Sequence, residues 1–168
     1  ASTTQMLDAR ERDWSDEVLQ ALKIPRRLLT PIVQSGTIVG KLRPEICEEL
    51  GLSPVDVVSV ASHDTQSAVV AVPTDEKDFV FLSCGTWSLM GTELDQPLIS
   101  DKSAEFNLTN EGGAGGKTTF MKNIIGLWLI QESRRQWQRE GADYSYAQLE
   151  TMALESEPFK SFIDPDAP

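Results

Sequence analysis

Ser62, His63, Asp64 and Thr65 set a hydroxyl, an imidazole, a carboxylate and a second hydroxyl side by side in the chain. Residues 55–60 before them are rich in β-branched side chains and read as a strand, and residues 66–71 after them read as a helix. Ligands in α/β proteins gather at such strand-to-helix junctions. An ionised Asp64 placed there could take a proton from an attacking hydroxyl. Taken alone, the ordinary role of such an aspartate is to cap the helix that follows. His63 is the single histidine of the chain, and a lone histidine is more often structural than catalytic.

A second set of groups follows. Ser83-Cys84-Gly85-Thr86 offers a glycine that lets backbone approach a ligand, with hydroxyls and amides able to hold phosphate oxygens without a basic residue. An ordinary hairpin turn has the same composition. Phosphoryl transfer needs both kinds of part, a carboxylate to receive the proton and a cradle for the transferred group. Farther on, residues 123–140 form the longest helical candidate, apolar through most of its first half, which predicts deep burial there. On such a helix Asn123, Leu127 and Gln131 share one face and separate their two amides by ~12 Å. Gly126 is anomalous inside it, since a mid-helix glycine costs up to ~1 kcal/mol and implies close packing or ligand approach.

These groups require elements to hold them. Ser15-Asp16-Glu17 begins a short amphipathic helix, with Ser15 as its cap and two acids at its positive end. Residues 36–40 read as a short strand. Pro44 opens another helix where its missing N–H does no harm, and Gly51 closes it. Residues 79–83 and 87–90 form a hairpin about Cys84-Gly85-Thr86, and residues 106–110 and 118–121 form another about a glycine-rich loop. Residues 146–154 suggest a final helix. The four tryptophans fall in separate elements and are taken as core or interface residues. This mixture of strands, hairpins and helices predicts an α/β architecture.

Bulk properties narrow the function. The chain has 168 residues, 15 basic and 26 acidic, for a net charge of −11. That balance disfavours nucleic-acid and anionic-membrane partners, which need basic patches. An anionic nucleotide would then have to be met by backbone amides, a few cations or a divalent metal. Cys47 and Cys84 lie far apart without metal-ligand spacing, so neither a zinc site nor a disulfide framework is expected, and a reducing cytoplasm fits. No stretch has the length of a membrane helix. The chain opens at Ala1 and closes at residues 166–168 without completing an element, which reads as a segment of a longer protein.

Ser62-His63-Asp64-Thr65, the run Leu82-Ser83-Cys84-Gly85-Thr86-Trp87-Ser88-Leu89-Met90-Gly91, Asn110-Glu111-Gly112-Gly113, and Lys122-Asn123-Ile124-Ile125-Gly126-Leu127-Trp128-Leu129 together resemble the FGGY carbohydrate kinases in order and spacing. Nearly the whole chain takes part in the resemblance. It implies incomplete actin-like, ribonuclease-H-like α/β lobes. Residues 1–72 would be the C-terminal part of the first, sugar-binding lobe and residues 73–168 the N-terminal part of the second, nucleotide-binding lobe.

The function implied is ATP-dependent phosphorylation of a ketose, with Mg²⁺ as cofactor. Asp64 matches the proton acceptor, and His63, Thr65 and Asn123 match sugar contacts. Gly85 and Thr86 match the phosphate turn, and Gln131 matches a nucleotide contact. The first phosphate hairpin and the adenosine site of such a kinase would lie outside these residues. Alternatives are a different sugar within the family, or a segment that binds without turning over by itself.

Overall fold

The computed structural model describes residues 1–164; the chain end noted above, residues 166–168, lies outside the described residues. The chain divides into two compact units. One comprises Ala1–Phe81 and Gly91–Lys122, and the other comprises Leu82–Met90 and the residues from Asn123 onward.

The first unit opens with the short antiparallel pair β1 (Leu7–Asp8) and β2 (Asp13–Trp14). Helix α1 (Asp16–Ala21) follows, and Ser15 caps it by accepting from the Val18 amide. Arg26 ties this region together, donating to Asp13 and Asp16 carboxylates at 2.7 and 2.9 Å and to the Trp14 carbonyl at 2.9 Å. Strands β3 (Ile38–Lys41) and β4 (Asp56–Val58) pair antiparallel with an irregularity between Ile38 and Gly40. Between them runs α2 (Pro44–Leu50), begun by Pro44 and ended by Gly51 at φ 65°. Helices α1 and α2 stand where Ser15, Pro44 and Gly51 predict, whereas the β1–β2 pair is not anticipated from the sequence.

Helix α3 (Asp64–Val70) turns Thr65, Gln66 and Val69 inward. The unit also holds α4 (Asp101–Glu105), closed by a Ser100–Ser103 capping box. Strand β7 (Thr109–Gly112) pairs antiparallel with β8 (Thr118–Ile124), Asn110 opposite Phe120 and Glu111 opposite Thr119. Strands β5 (Phe81–Cys84) and β6 (Ser88–Leu94) complete a four-stranded sheet of order β5-β6-β8-β7. Thr118, Thr119 and Met121 of β8 are all buried, so the strand is covered on both faces. Gly91 of β6 has no alternative residue: a β-carbon there would stand 2.6 Å from the Phe120 carbonyl oxygen.

The second unit holds the 84–87 turn and two helices, α5 (Trp128–Arg139) and α6 (Tyr146–Glu155), the latter opened by a Ser145–Gln148 capping box. Two expectations are corrected here. Asn123 and Ile124 belong to strand β8, and the helix begins only at Trp128. The β-branched Ile124 and Ile125 suit an extended chain, and Gly126, at φ 64°, breaks the path before the helix can start. Nor is the front of the helix deeply buried, since Leu127 is 50% and Trp128 44% exposed. Trp87 is likewise more than half exposed, so it is no core residue of the described structure. Cys47 is buried and Cys84 exposed, and both are free thiols.

Candidate functional site

The first group of candidate residues is local to the entry of α3. Ser62, just before it, adopts φ 65°, a left-handed conformation unfavourable for a residue with a β-carbon, and its hydroxyl donates to the Val60 carbonyl at 3.2 Å. That twist ends the extended chain and presents His63 and Asp64 at the helix start. His63 occupies the capping position but makes no side-chain cap. Instead the Asp64 carboxylate accepts from the Thr65 amide at 2.7 Å, so the capping role weighed from sequence is partly realised by Asp64 itself.

The Asp64 side chain is 97% exposed, free to meet a ligand hydroxyl with its second oxygen. His63 Nδ1 stands 3.5 Å from Asp64 Oδ1, shielded from solvent yet without a hydrogen bond. Thr65 is buried, and its hydroxyl lies 3.5 Å from the same carboxylate oxygen. The structure therefore places His63 and Thr65 beside the Asp64 carboxylate, with the imidazole Nδ1 turned away from solvent.

The second group lies in the other unit. The 84–87 turn and the start of α5 form a single joint. The Leu127 and Trp128 amides donate to the Gly85 and Thr86 carbonyls, both at 3.1 Å. These bonds do the work of a cap, which Leu127 cannot supply from its side chain. Gly126 sits against Ser88, where an added β-carbon would meet the serine amide nitrogen at 2.7 Å. Gln131 Nε2 points to Thr86 Oγ1 at 3.5 Å, a long contact that leaves both groups able to take other partners.

Gly85, Thr86 and Gln131 are thus brought together. Asn123 is exposed on β8 and does not share a helical face with Gln131, which corrects the ~12 Å spacing expected of one continuous helix. The anomalous Gly126 has its reason in close packing against Ser88 and in its positive φ, at a strand-to-helix corner.

Two features were not found by sequence reasoning. Gln66 and Thr119 are 2% and 0% exposed, and the threonine hydroxyl donates to Gln66 Oε1 at 2.6 Å. They are 53 residues apart, and no local pattern couples them. The first unit also contains a cavity of about 400 Å³, whose lining includes Arg12, Ala61, Ser62, Glu111, Gly113 and Lys117. None of His63, Asp64 and Thr65 lines it. At its rim Lys117 is paired with Asp95, whose carboxyl is held below its ordinary range by that hydrogen bond and charge, while the Lys117 ammonium is pushed up.

Comparison with known proteins decides the family. Residues 1–71 match the N-terminal domain of the FGGY family of carbohydrate kinases, and residues 80–168 match its C-terminal domain. The chain belongs to the FGGY carbohydrate kinases. It is 42% identical over 166 residues to the rhamnulokinase of Bacteroides thetaiotaomicron, covering 99% of this chain and 33% of that protein. It is also 42% identical over 163 residues to the rhamnulokinase of Bacillus subtilis, covering 97% of this chain and again 33% of the relative. The chain thus spans about a third of the curated relatives it matches.

Among solved structures it resembles a xyloylose kinase from Brucella ovis (TM-score 0.66, 21% identity, covering 83% of this chain and 28% of that one). It also resembles the ligand-bound xylulose kinase from Lactobacillus acidophilus (TM-score 0.63, 21% identity, covering 78% and 26%). The fold is therefore that of the actin-like FGGY kinases, and the α/β expectation holds. Among the described residues no helix is long and apolar enough to cross a membrane.

Proposed function

We propose that this FGGY chain is the central segment of a cytoplasmic rhamnulokinase, which transfers the γ-phosphoryl group of ATP to L-rhamnulose and yields L-rhamnulose 1-phosphate in L-rhamnose catabolism. The observation that carries this reading is the 42% identity to a rhamnulokinase over 99% of the chain. We divide the segment at residues 72 and 73, with 1–72 in the sugar-binding lobe and 73–168 in the nucleotide-binding lobe. The two family matches, 1–71 and 80–168, support that division.

In this mechanism Asp64 is the general base. Its exposed carboxylate accepts the proton of the sugar's primary hydroxyl as the oxygen attacks phosphorus in line with the leaving ADP. The bond from the Thr65 amide holds one carboxylate oxygen and leaves the other for the hydroxyl. His63, Thr65 and Asn123 contact the sugar, and the 39% exposure of the His63 side chain, which leaves part of the ring open to a ligand, supports such a role. Gly85 and Thr86 approach the phosphates through backbone amides and a hydroxyl, and Gln131 contacts the nucleotide. Uncharged donors of this kind suit an acidic chain.

Mg²⁺ would neutralise phosphate charge. The described residues include no group of three or more histidine, cysteine, aspartate or glutamate side chains able to hold a metal, so no residue here is assigned to it.

Asp64→Asn in a full-length kinase carrying this sequence tests the assignment. Turnover should fall by about 10²–10⁴-fold while L-rhamnulose still binds. Near-normal turnover would remove Asp64 from the role of base. A coupled assay across ketoses tests the substrate: L-rhamnulose should give the highest kcat/KM, and preference for L-fuculose or D-xylulose would reassign the sugar within the family.

A further inference from the structure

Helix α3 carries Asp64 at its first position and Gln66 two residues later, in the same turn. Gln66 is among the most deeply buried side chains of the described structure, at 2% exposure, and it bonds the wholly buried Thr119 hydroxyl of β8. The arrangement is costly. A buried glutamine gives up side-chain freedom and hydration, and here its Nε2 has no partner. Apolar residues at both 66 and 119 would fill the same space without leaving a polar group unsatisfied, so packing alone does not explain the glutamine–threonine pair.

What the amide adds is direction. Val69 packs one turn farther along and anchors the helix by shape, which permits some rotation and sliding. A short hydrogen bond at the first turn permits much less. Thr119 is itself held in place. It faces Glu111 in the β7–β8 register, and its hydroxyl lies 3.1 Å from where a β-carbon on Gly113 would stand. The hydroxyl that anchors Gln66 is therefore fixed between a strand pair and a glycine backbone.

From this geometry we infer that Gln66 is a positioning residue, which through Thr119 fixes the rotation of the first turn of α3 and so the direction in which Asp64 presents its carboxylate. The inference rests on the proposed reading of Asp64 as the base. Gln66 touches no substrate in it and acts only through the helix. Its imperfect hydrogen bonding gives it a distinctive signature: replacing both members of a buried polar pair by apolar groups of similar shape can be neutral or stabilising. Such a replacement should here leave the fold at least as stable while turnover falls.

The test compares Gln66→Met, Thr119→Val, the double variant and Thr119→Ser in a full-length kinase carrying this sequence, with Asp64→Asn alongside. In the double variant kcat should fall about tenfold or more, the loss that a small misplacement of a reacting group produces. KM for ATP should stay within about twofold and the thermal midpoint should not drop. Either single variant should lose about as much kcat as the double, because both break one bond.

Thr119→Ser keeps the hydroxyl and should retain most of the turnover. Unchanged kcat in the double variant, or a Thr119→Ser loss equal to that of Thr119→Val, would overturn the inference. If Asp64→Asn keeps its turnover, the base itself is misassigned and the positioning role loses its ground. If Asp64→Asn is inactive while the double variant turns over normally, only the positioning role fails.

Discussion

Gly126 leaves no room for a methyl group against Ser88: a β-carbon on it would stand 2.7 Å from the serine amide nitrogen and closer still to the hydroxyl. Its φ of 64° adds a second reason for glycine. Gly126→Ala should therefore cost about 2–4 kcal/mol, from overpacking and a left-handed alanine together. Because the same corner sends the Leu127 and Trp128 amides to the 84–87 turn, the variant should also weaken nucleotide binding. Denaturant unfolding and ATP titration of the full-length protein measure the two effects.

Ser62 carries a similar constraint in the first unit, with its φ of 65° immediately before His63. Ser62→Val puts a β-branched side chain into that conformation and should destabilise by about 1–3 kcal/mol, with kcat falling as His63 and Asp64 shift. Ser62→Asn, which tolerates the left-handed region, should stay close to the parent in both. A denaturant midpoint equal to the parent's in the valine variant would show that the turn relaxes freely.

Thr86 and Gln131 meet at 3.5 Å, and each has capacity for a ligand. If Thr86 bonds a phosphate oxygen, Thr86→Val should cost about 1.5–3 kcal/mol of binding, roughly 10–100-fold in KM for ATP, with KM for the sugar little changed. Thr86→Ser should recover most of it. Steady-state kinetics with each substrate varied in turn would read the difference.

The ion pair between Asp95 and Lys117 gives a pH prediction with a definite sign. The Lys117 hydrogen bond and then its charge lower the Asp95 carboxyl below its ordinary range. The stability that this contributes is present above the unfolded carboxylate value of ~3.9 and is lost as pH falls through the lowered, folded value. Lys117 is raised by the same partner, so its contribution persists below ~10.4 and disappears only as pH climbs through its raised value. Asp95→Asn should thus lower the thermal midpoint slightly at neutral pH, and the difference should vanish in acid. Both side chains are well exposed, at 84% and 47%, so salt should shrink the effect at neutral pH.

How far the sequence reveals this structure depends on the range of the interactions. Ser15, Pro44 and Gly51 act within one helical turn, and the elements they begin or end stand where those residues predict. The α3 junction was equally legible, because a β-branched run and a following helix are both local patterns. The 123–140 segment misled because Ile124, Ile125, Leu127, Trp128, Leu129 and Ile130 satisfy helical burial as easily as they satisfy a strand running into a helix. Only pairing with a neighbouring strand draws Asn123 and Ile124 into β8. The Gln66–Thr119 bond had no signature at all, since a glutamine in a short helix and a threonine in a distant strand each look exposed until the chain brings them together.

Of the two free thiols, Cys84 is exposed and Cys47 buried, and Cys84 directly precedes the Gly85-Thr86 turn. Within this segment a maleimide fluorophore would therefore attach at one place, beside the proposed phosphate contacts. The turn comes with its own attachment point for an optical reporter, through which the proposed nucleotide contact can be tested in real time without adding a cysteine.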